Sequence, residues 1–374
     1  MQMKKLGFGF MRLPLLDGND QTSFDKNQIC GMVDTFLEKG FTYFDTAYMY
    51  HAGKSENVIK EVLVDRHPRD SYLLATKMPT MFLKEEADVE RIFNEQLEKC
   101  GVEYFDYYLV HCLNVTNYEI AERLKVFDFV VQKKAEGKVK KIGFSYHDDA
   151  ILLDKILTEH PEMEFVQLQI NYLDWENEGV QSRKCHEVAV KHGKDIIVME
   201  PVKGGTLANV PKKAEKLLKS YEPDMTVPSW AIRFAASCEN VFMVLSGMSN
   251  TEQLLDNTGY MEDFKPLTDE EKAVCLKVAD IINSTVTIPC TVCRYCVDEC
   301  PMNIPIPDFF SLFNAEEQEI EKPFTVQGEY YDNLAKKHNK ASACIECKNC
   351  EAKCPQHIEI SKFIKLVAEK FETE

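Results

Sequence analysis

The sequence predicts an α/β fold, a (β/α)8 TIM barrel, followed by a small, mainly α-helical domain rich in cysteine. Eight short apolar strands alternate with amphipathic helices over most of the chain, and three of these strands end on an ionisable residue. Two runs of four cysteines near the C-terminus predict the second domain. At 374 residues the chain is long enough for both. We expect the barrel at residues 1–264, a linker and helix at 265–284, and the cysteine-rich domain at 285–374.

The barrel strands are predicted from short apolar runs, and the helices from apolar residues spaced three and four apart. A doubly wound dinucleotide-binding fold would alternate in the same way, but Gly7-x-Gly9 lacks the third glycine of that fingerprint. The strands are expected at residues 4–8, 41–44, 73–76, 107–110, 141–145, 165–169, 196–199 and 241–245. The helices are expected at 24–37, 85–100, 118–136, 148–157 and 177–192, with others capped by Ser55, starting near Pro228 and Thr251, and covering 268–283.

The overall charge and the apolar runs exclude two classes of partner. A net charge of -17 argues against nucleic acid, whose phosphates need a basic surface. We find no apolar run long enough for a membrane span and no signal peptide, so we expect no membrane partner. The expected compartment is the cytoplasm, where thiols stay reduced.

Asp45, Lys77 and His111 end consecutive predicted strands, and Tyr50 follows shortly after the first of them. The strand ends of a parallel barrel meet on its catalytic face, so these side chains are expected in one pocket. A buried Lys77 needs a charged partner, and Asp45 is the nearest candidate. The ammonium of Lys77 beside the Tyr50 hydroxyl would favour the phenolate, making Tyr50 a better proton donor. Cys112 beside His111 suggests a nucleophile pair instead, but no oxyanion motif accompanies it.

The four residues resemble the Asp-Tyr-Lys-His tetrad of the aldo-keto reductase family in order and spacing, within a resemblance that covers residues 1 to about 260. The resemblance implies that Tyr50 protonates the carbonyl oxygen of an aldehyde or ketone as hydride arrives. Lys77 and Asp45 would tune Tyr50, and His111 would orient the substrate. The motifs that carry the resemblance are Asp45-x4-Tyr50, Ala75-Thr76-Lys77 and Leu109-Val110-His111.

Two glycine-bearing loops follow strands seven and eight, where barrels often bind phosphate. The family resemblance implies a nicotinamide cofactor there, either NADP or NAD. The lysine and arginine that many relatives use on the 2′-phosphate align with Gly247 and Gln253, which keeps NAD open. The implied contacts are Ser145 and Gln167 at the carboxamide, Met199 in place of a stacking aromatic, Gly9, Phe10 and Met11 after strand one, Pro201, Val202, Gly204 and Gly205 at the pyrophosphate, and Gly247, Ser249, Gln253 and Asn257 at the adenosine.

The cysteine runs have the form Cys-x2-Cys-x2-Cys-x3-Cys-Pro, and the second repeats the first 54 residues later, from Cys290 to Cys344. This is the spacing of bacterial two-cluster ferredoxins, in which the fourth cysteine ligates the other cluster. Zinc is the alternative, because paired Cys-x2-Cys motifs also bind it, but a proline after the fourth cysteine is not a zinc pattern. We expect one [4Fe-4S] cluster on Cys290, Cys293, Cys296 and Cys354, and another on Cys344, Cys347, Cys350 and Cys300.

The chain therefore resembles a bacterial and archaeal group of aldo-keto reductases with a C-terminal, ferredoxin-like domain holding two [4Fe-4S] clusters. The resemblance implies an NAD(P)-dependent oxidoreductase that interconverts a carbonyl compound and an alcohol. The clusters would either exchange electrons with a ferredoxin or flavoprotein partner, or serve as structural staples that hold the tail over the barrel. The alternative is an electron-transfer or redox-sensing protein whose barrel binds nicotinamide cofactor without carbonyl turnover.

Overall fold

A computed structural model describes residues 3–284, 287–290, 292, 294–318, 325–354 and 356–372. Within these residues, parallel strands form a closed barrel, as the sequence predicts. Each strand pairs with the next along the chain, and the last pairs with the first. The strands are β1 (Leu6–Gly9), β2 (Tyr43–Asp45), β3 (Leu73–Met78), β4 (Phe105–Leu113), β5 (Val139–Tyr146), β6 (Phe165–Gln169), β7 (Asp195–Met199) and β8 (Val241–Gly247).

Helices connect the strands and continue into a mainly helical C-terminal region, which we call the tail domain (residues 287–372). Those up to the end of the barrel are α1 (Lys26–Glu38), α2 (Tyr50–Gly53), α3 (Ser55–Ile59), α4 (Glu86–Cys100), α5 (Val115–Arg123), α6 (Val126–Ala135), α7 (Ala150–Glu159), α8 (Ser182–Lys191), α9 (Lys212–Tyr221), α10 (Val227–Ala236) and α11 (Thr251–Met261). They are followed by α12 (Asp269–Asn283), α13 (Ile306–Glu317), α14 (Val326–Lys337), α15 (Asn349–Lys353) and α16 (Ile360–Phe371). Short 3₁₀ turns lie at Arg69–Ser71, Thr80–Phe82, Lys203–Ala208 and Ala341–Ala343, and a π-helical turn at Lys60–Val64. None of the helices described here has the length and apolar character that a membrane crossing needs.

The prediction of one continuous helix at 118–136 is wrong, because this segment forms two helices, α5 and α6. Lys125 has a φ of 54°, a left-handed conformation that ends the helical ladder. The helix predicted at 177–192 begins later, at Ser182. Helix α9 is not predicted at all, because half of its residues are charged and it buries only Ala214 and Leu218.

Ser55 does not cap a helix, which corrects another prediction. The residue before α3 is Lys54, and it makes no side-chain capping bond. The Ser55 hydroxyl instead lies 2.8 Å from the Thr46 hydroxyl and donates to the Phe10 carbonyl at 3.2 Å. Ser55 therefore ties the segments after β1 and β2 together below the catalytic end of the barrel.

Large apolar side chains close the barrel interior at its N-terminal end. Tyr43, Leu109, Phe165 and Met243 form this plug, and all are buried. Gly143 allows β5 to approach β6 here, since a Cβ at that position would lie 2.3 Å from the Phe165 carbonyl oxygen. Because the plug fills the lower half, polar side chains in the barrel are gathered at the C-terminal face.

The tail domain has its own apolar core and rests on the C-terminal face of the barrel. The Tyr331 ring stacks within this core, 4.5 Å from the Phe309 ring and 4.8 Å from the Phe371 ring, measured between centroids. Val180, from the segment after β6, is buried in the same cluster. A Cβ on neighbouring Gly179 would lie 3.2 Å from Leu312 of α13. The tail thus covers the face on which a TIM barrel carries its active site.

Candidate active site

The predicted group Asp45, Tyr50 and Lys77 lies together at the C-terminal end of the barrel. The Lys77 ammonium is fully buried and donates to the Asp45 carboxylate at 2.7 Å, the Thr46 carbonyl at 2.8 Å and the Tyr50 hydroxyl at 3.3 Å. These bonds use all three donors of the ammonium. The buried lysine of β3 is therefore fully satisfied by groups at and just after the end of β2.

His111 lies beside Tyr50, with their ring centroids 6.3 Å apart. Strand β4 does not end at His111 but continues for two more residues, to Leu113. Cys112 has a φ of 55° and its N–H donates to the Ser145 hydroxyl at 2.8 Å. The irregular end of β4 thus presents His111 to the site while it fixes Ser145 on β5.

The electrostatics of the group set which proton is available. Although burial favours the neutral amine, the charge of Asp45 raises the pKa of Lys77 and keeps it an ammonium. Burial raises the pKa of Tyr50, and it outweighs the lowering by Lys77 that was expected from the sequence. Burial, followed by the charge of Lys77 and the neighbouring His147 ring, holds the pKa of His111 well below its usual range. Tyr50 is therefore protonated and His111 neutral at pH 7.

His147, directly after β5, is a site residue that the sequence analysis does not predict. It is buried, and its Nδ1 has no hydrogen-bond partner among the described residues. Burial lowers its pKa to about 4, so the ring is neutral. A signal for it exists in the sequence, since His147 follows an apolar strand as His111 does. The predicted strand ends at Ser145, whereas β5 continues to Tyr146 and brings His147 to the barrel mouth.

A cavity runs from the loop after β7 to the start of α11, and we call it the groove. Gly204 and Gly205 have φ values of 62° and 109°, which glycine adopts without strain and which turn the loop around the groove. All of the predicted pyrophosphate and adenosine contacts line it, namely Pro201, Val202, Gly204, Gly205, Gly247, Ser249, Gln253 and Asn257.

Three charged residues that were not predicted also line the groove. The Arg12 guanidinium lies 3.3 Å from the Glu200 carboxylate, across the groove from β1 to β7. Asp256 on α11 accepts a hydrogen bond from Thr226 at 2.7 Å. Arg12 packs against Gly247, where an added Cβ would lie 3.1 Å from the arginine side chain. Among the described lining residues, Arg12 is the only cation.

The predicted carboxamide contacts sit deeper, on adjacent strands. The Gln167 amide nitrogen lies 3.5 Å from the Met199 sulfur, and its amide oxygen is buried without a partner in the described structure. Ser145, one strand away, accepts the Cys112 bond described above. A buried amide oxygen without a partner is the expected condition of a group that meets a ligand.

The predicted contacts after β1 are split between core and surface. The Phe10 ring is fully buried against Phe8 and Phe44, and its backbone N–H and C=O are bonded to Asp45 and Ser55. Gly9 lies within β1, and Met11 is exposed at 38%. Of the three, Met11 is the residue whose side chain is accessible.

The described cysteines of the two runs line two cavities in the tail domain. One is lined by Cys290, Cys296 and Cys354. The grouping follows the crossed pattern of two-cluster ferredoxins, since Cys354 belongs to the second run. Cys293 lies outside the described residues. The other cavity is lined by Cys300, Cys344, Cys347 and Cys350.

The loops around these cavities share an unusual backbone conformation. Left-handed φ values are uncommon in residues other than glycine, yet they recur at positions 54 residues apart in both runs. Successive N–H groups in such turns form concave nests that bind anions and iron–sulfur sites. Within the described residues, no three His, Cys, Asp or Glu side chains are arranged around a single metal ion. The matching pairs are Val292 (56°) and Glu346 (54°), Arg294 (63°) and Lys348 (61°), and Asn303 (52°) and His357 (52°).

Two family models match different parts of the chain. The aldo/keto reductase family model matches residues 5–280, and the 4Fe-4S dicluster domain model matches residues 289–359. A curated relative, uncharacterized oxidoreductase YqkF of Bacillus subtilis, is 20% identical over 301 residues, 72% of this chain and 91% of that protein. Probable aldo-keto reductase 1 of Glycine max is 29% identical over 182 residues, 46% of this chain and 49% of that protein.

Solved structures share the barrel. The holo form of aldo-keto reductase AKR11C1 from Bacillus halodurans has a TM-score of 0.57 at 22% identity, covering 74% of this chain and 95% of that one. An aldo-keto reductase from Klebsiella pneumoniae in complex with NADPH has a TM-score of 0.56 at 18% identity, covering 74% and 91%. The chain belongs to the aldo/keto reductase family of oxidoreductases and carries a 4Fe-4S dicluster domain at its C-terminus.

Proposed function

We propose that this protein interconverts an aldehyde or ketone and the corresponding alcohol by hydride transfer, with NADP(H) as its cofactor and NAD(H) as the alternative. The observation that carries the proposal is the buried Lys77 ammonium bonded to both Asp45 and Tyr50, beside a neutral His111. The groove next to it has the glycine-turned loop and the cation that a dinucleotide needs. NADP is favoured because Arg12 lines the groove and because a solved relative contains NADPH.

Each residue of the group has a distinct task. The cofactor, when bound, would supply hydride chemistry at the carbonyl carbon. Tyr50 donates its proton to the carbonyl oxygen. The Lys77 ammonium, 3.3 Å from the Tyr50 oxygen, stabilises the negative charge that develops there. Asp45 holds Lys77 charged and in position. His111, being neutral, orients the carbonyl oxygen by a hydrogen bond and leaves the proton transfer to Tyr50.

The tail domain is proposed to hold two [4Fe-4S] clusters on the eight cysteines of the two runs. The cysteine-lined cavities fit this assignment, including the exchange of Cys300 and Cys354 between the runs. Bound clusters supply one-electron transfer or structural support. Cys347 is exposed, so one cluster would be near the surface, where a ferredoxin or flavoprotein partner can approach. We propose a cytoplasmic location, where the cysteine ligands stay reduced.

The test is Tyr50→Phe in the full-length, cluster-loaded protein. Loss of the proposed proton donor should reduce kcat roughly 10²- to 10⁴-fold while cofactor binding is retained. The measurement is oxidation of NADPH, then NADH, with a panel of aldehydes and ketones, together with a cofactor titration. Tyr48→Phe is the matched control, because the Tyr48 hydroxyl bonds Glu95 at 3.2 Å outside this group. Turnover of Tyr50→Phe at the wild-type rate would mean that Tyr50 is not the acid.

The second candidate is an electron-transfer or redox-sensing protein, favoured by the presence of the dicluster domain itself. One anaerobic experiment distinguishes the two candidate functions. It follows the absorbance of the cofactor and of the clusters in the same sample. Carbonyl-dependent oxidation of cofactor with silent clusters supports the reductase and a structural tail. Bleaching of the clusters by cofactor, without carbonyl turnover, supports electron transfer to a protein partner.

A further inference from the structure

We propose that α14 of the tail domain forms a wall of the substrate pocket, and that Gln327 hydrogen-bonds a second polar group of the substrate, away from the reacting carbonyl. The inference rests on the proposed carbonyl reduction and deepens it. It names a substrate class, a carbonyl compound that also bears a hydroxyl, carbonyl or amide group.

A short series of contacts leads from the catalytic group to α14. Tyr50 lies beside His111, and His147 is near enough to His111 to lower its pKa. The His147 ring is 6.2 Å from the Tyr330 ring, and the His147 carbonyl accepts a hydrogen bond from the Asn333 amide at 3.0 Å. Helix α14 is therefore separated from the catalytic histidine by a single side chain.

Two more residues of α14, Lys337 and Glu329, lie close to the barrel. Lys337, at the C-terminal end of α14, lies 2.8 Å from the Asp148 carboxylate and 2.9 Å from the Asp149 carboxylate. Burial raises the pKa of the Cys112 thiol to about 12, and the charge of Glu329 contributes to this shift. Glu329 thus lies near the end of β4, and α14 crosses the barrel mouth from the segment after β5 towards β4.

Gln327 lies one helical turn before Tyr330. It precedes Tyr330 by three residues, so the two side chains are neighbours on the surface of the helix. At 1.5 Å per residue, Gln327 lies about 5 Å along the axis from Tyr330. The side chain is fully buried, in a helix that carries charged residues on its outer side.

The hydrogen-bonding groups in this region lack partners. Among the described residues, both amide atoms of Gln327, the amide oxygen of Asn333, and Nδ1 of His111 and of His147 are buried without one. Leaving a buried polar group without a partner is unfavourable, so the unpaired amide of fully buried Gln327, one turn from Tyr330, points to a ligand group that it bonds. A primary amide both donates and accepts, which suits a hydroxyl or carbonyl on the substrate.

This arrangement predicts discrimination between substrates. A site built to bond a polar group rejects an analogue that lacks it, because the buried amide is then left unpaired. An unsubstituted alkyl aldehyde would leave Gln327 without a partner. We expect the wild-type protein to prefer a hydroxyaldehyde over the aldehyde of equal chain length by roughly 10- to 100-fold in kcat/KM.

The experiment compares such substrate pairs in the full-length, cluster-loaded protein and in Gln327→Leu. The variant should raise KM for the hydroxylated member roughly 10-fold, with kcat and the unsubstituted member little changed. Gln327→Met, a flexible side chain of similar volume, serves if the leucine variant does not fold. Tyr331→Phe is the control, because the Tyr331 hydroxyl bonds Glu372 and the Ala341 N–H inside the tail.

The outcomes separate this inference from the proposed function. Turnover that depends on Tyr50, with the same substrate preference in wild type and both Gln327 variants, overturns the inference and leaves carbonyl reduction standing. A wild-type protein without any preference for the polar partner of each pair also overturns it. If no carbonyl compound is turned over, the proposed function fails and the inference falls with it.

Discussion

The barrel and the tail domain hold their candidate sites in different ways. In the barrel, Lys77 is fixed by three bonds to groups at strand ends, above a core of fully buried aromatic side chains such as Phe8 and Phe44. In the tail, thiols line open cavities whose loops adopt left-handed backbone conformations. A site on strand ends is preorganised by the core beneath it, whereas a site made of loops depends on what it binds.

The largest effect should follow from removing a cluster ligand. Cys350→Ser is expected to lose one cluster, about half of the bound iron, because a thiolate is needed at each position. Since ligand binding contributes folding free energy, the tail should become sensitive to protease while the barrel keeps its helical and strand content. Iron analysis and limited proteolysis measure both.

Cys30→Ser, in helix α1 of the barrel, is the matched control and should keep all of its iron. A Cys350→Ser protein with wild-type iron content and protease resistance would show that the tail, like the barrel, is stable without its ligand set.

A smaller effect is expected at the contact between the two regions. His147 is neutral in the folded protein down to pH about 4, because burial lowers its pKa, whereas in the unfolded chain it is protonated below about 6.5. The unfolded state therefore binds the extra proton, and the free energy of unfolding should fall by about 3 kcal/mol as pH decreases from 6.5 to 4. His147→Gln should show a shallower pH dependence in denaturant titrations.

The Glu56 carboxyl has the opposite effect on the pH dependence of stability, and it is present in both the wild type and His147→Gln. Burial raises its pKa to about 6, so its contribution is complete below pH 4.5 and is lost as pH rises to about 6. Comparing the pH slopes of the unfolding free energy of wild type and His147→Gln therefore cancels the contribution of Glu56. Identical slopes for wild type and His147→Gln would show that the tail does not keep this ring from protonation.

The smallest effect concerns the groove, where one side chain should change binding without changing the fold. Arg12→Ala should raise KM for NADPH roughly 10-fold and KM for NADH much less, since a charge-assisted bond to the 2′-phosphate is lost. Steady-state kinetics with both cofactors measures the ratio. Arg66→Ala, which removes a surface pair with Asp34, is the control. An equal change for both cofactors would place Arg12 at the pyrophosphate instead.

Much of the barrel was predictable because its signals are local. Strand β6 has the predicted bounds, and β5 and β8 extend the predicted strands by a few residues at their ends. The tetrad could be located because strand ends of a parallel barrel converge, whatever the loops do. The break at Lys125 and the bonds of Ser55 were missed, and the Ser55 bond to the Phe10 carbonyl joins residues 45 apart in sequence.

The sequence alone determined the (β/α)8 barrel, the candidate catalytic residues at its strand ends and the two cysteine runs, because apolar periodicity and residue spacing are properties of short segments. Only the tertiary structure decided which groups meet across long separations. It placed Arg12 opposite Glu200, and it set Asn333 of the tail against the His147 carbonyl at the barrel mouth. Such pairings depend on how helices pack onto the finished barrel, since burial and the loss of water are properties of the whole fold.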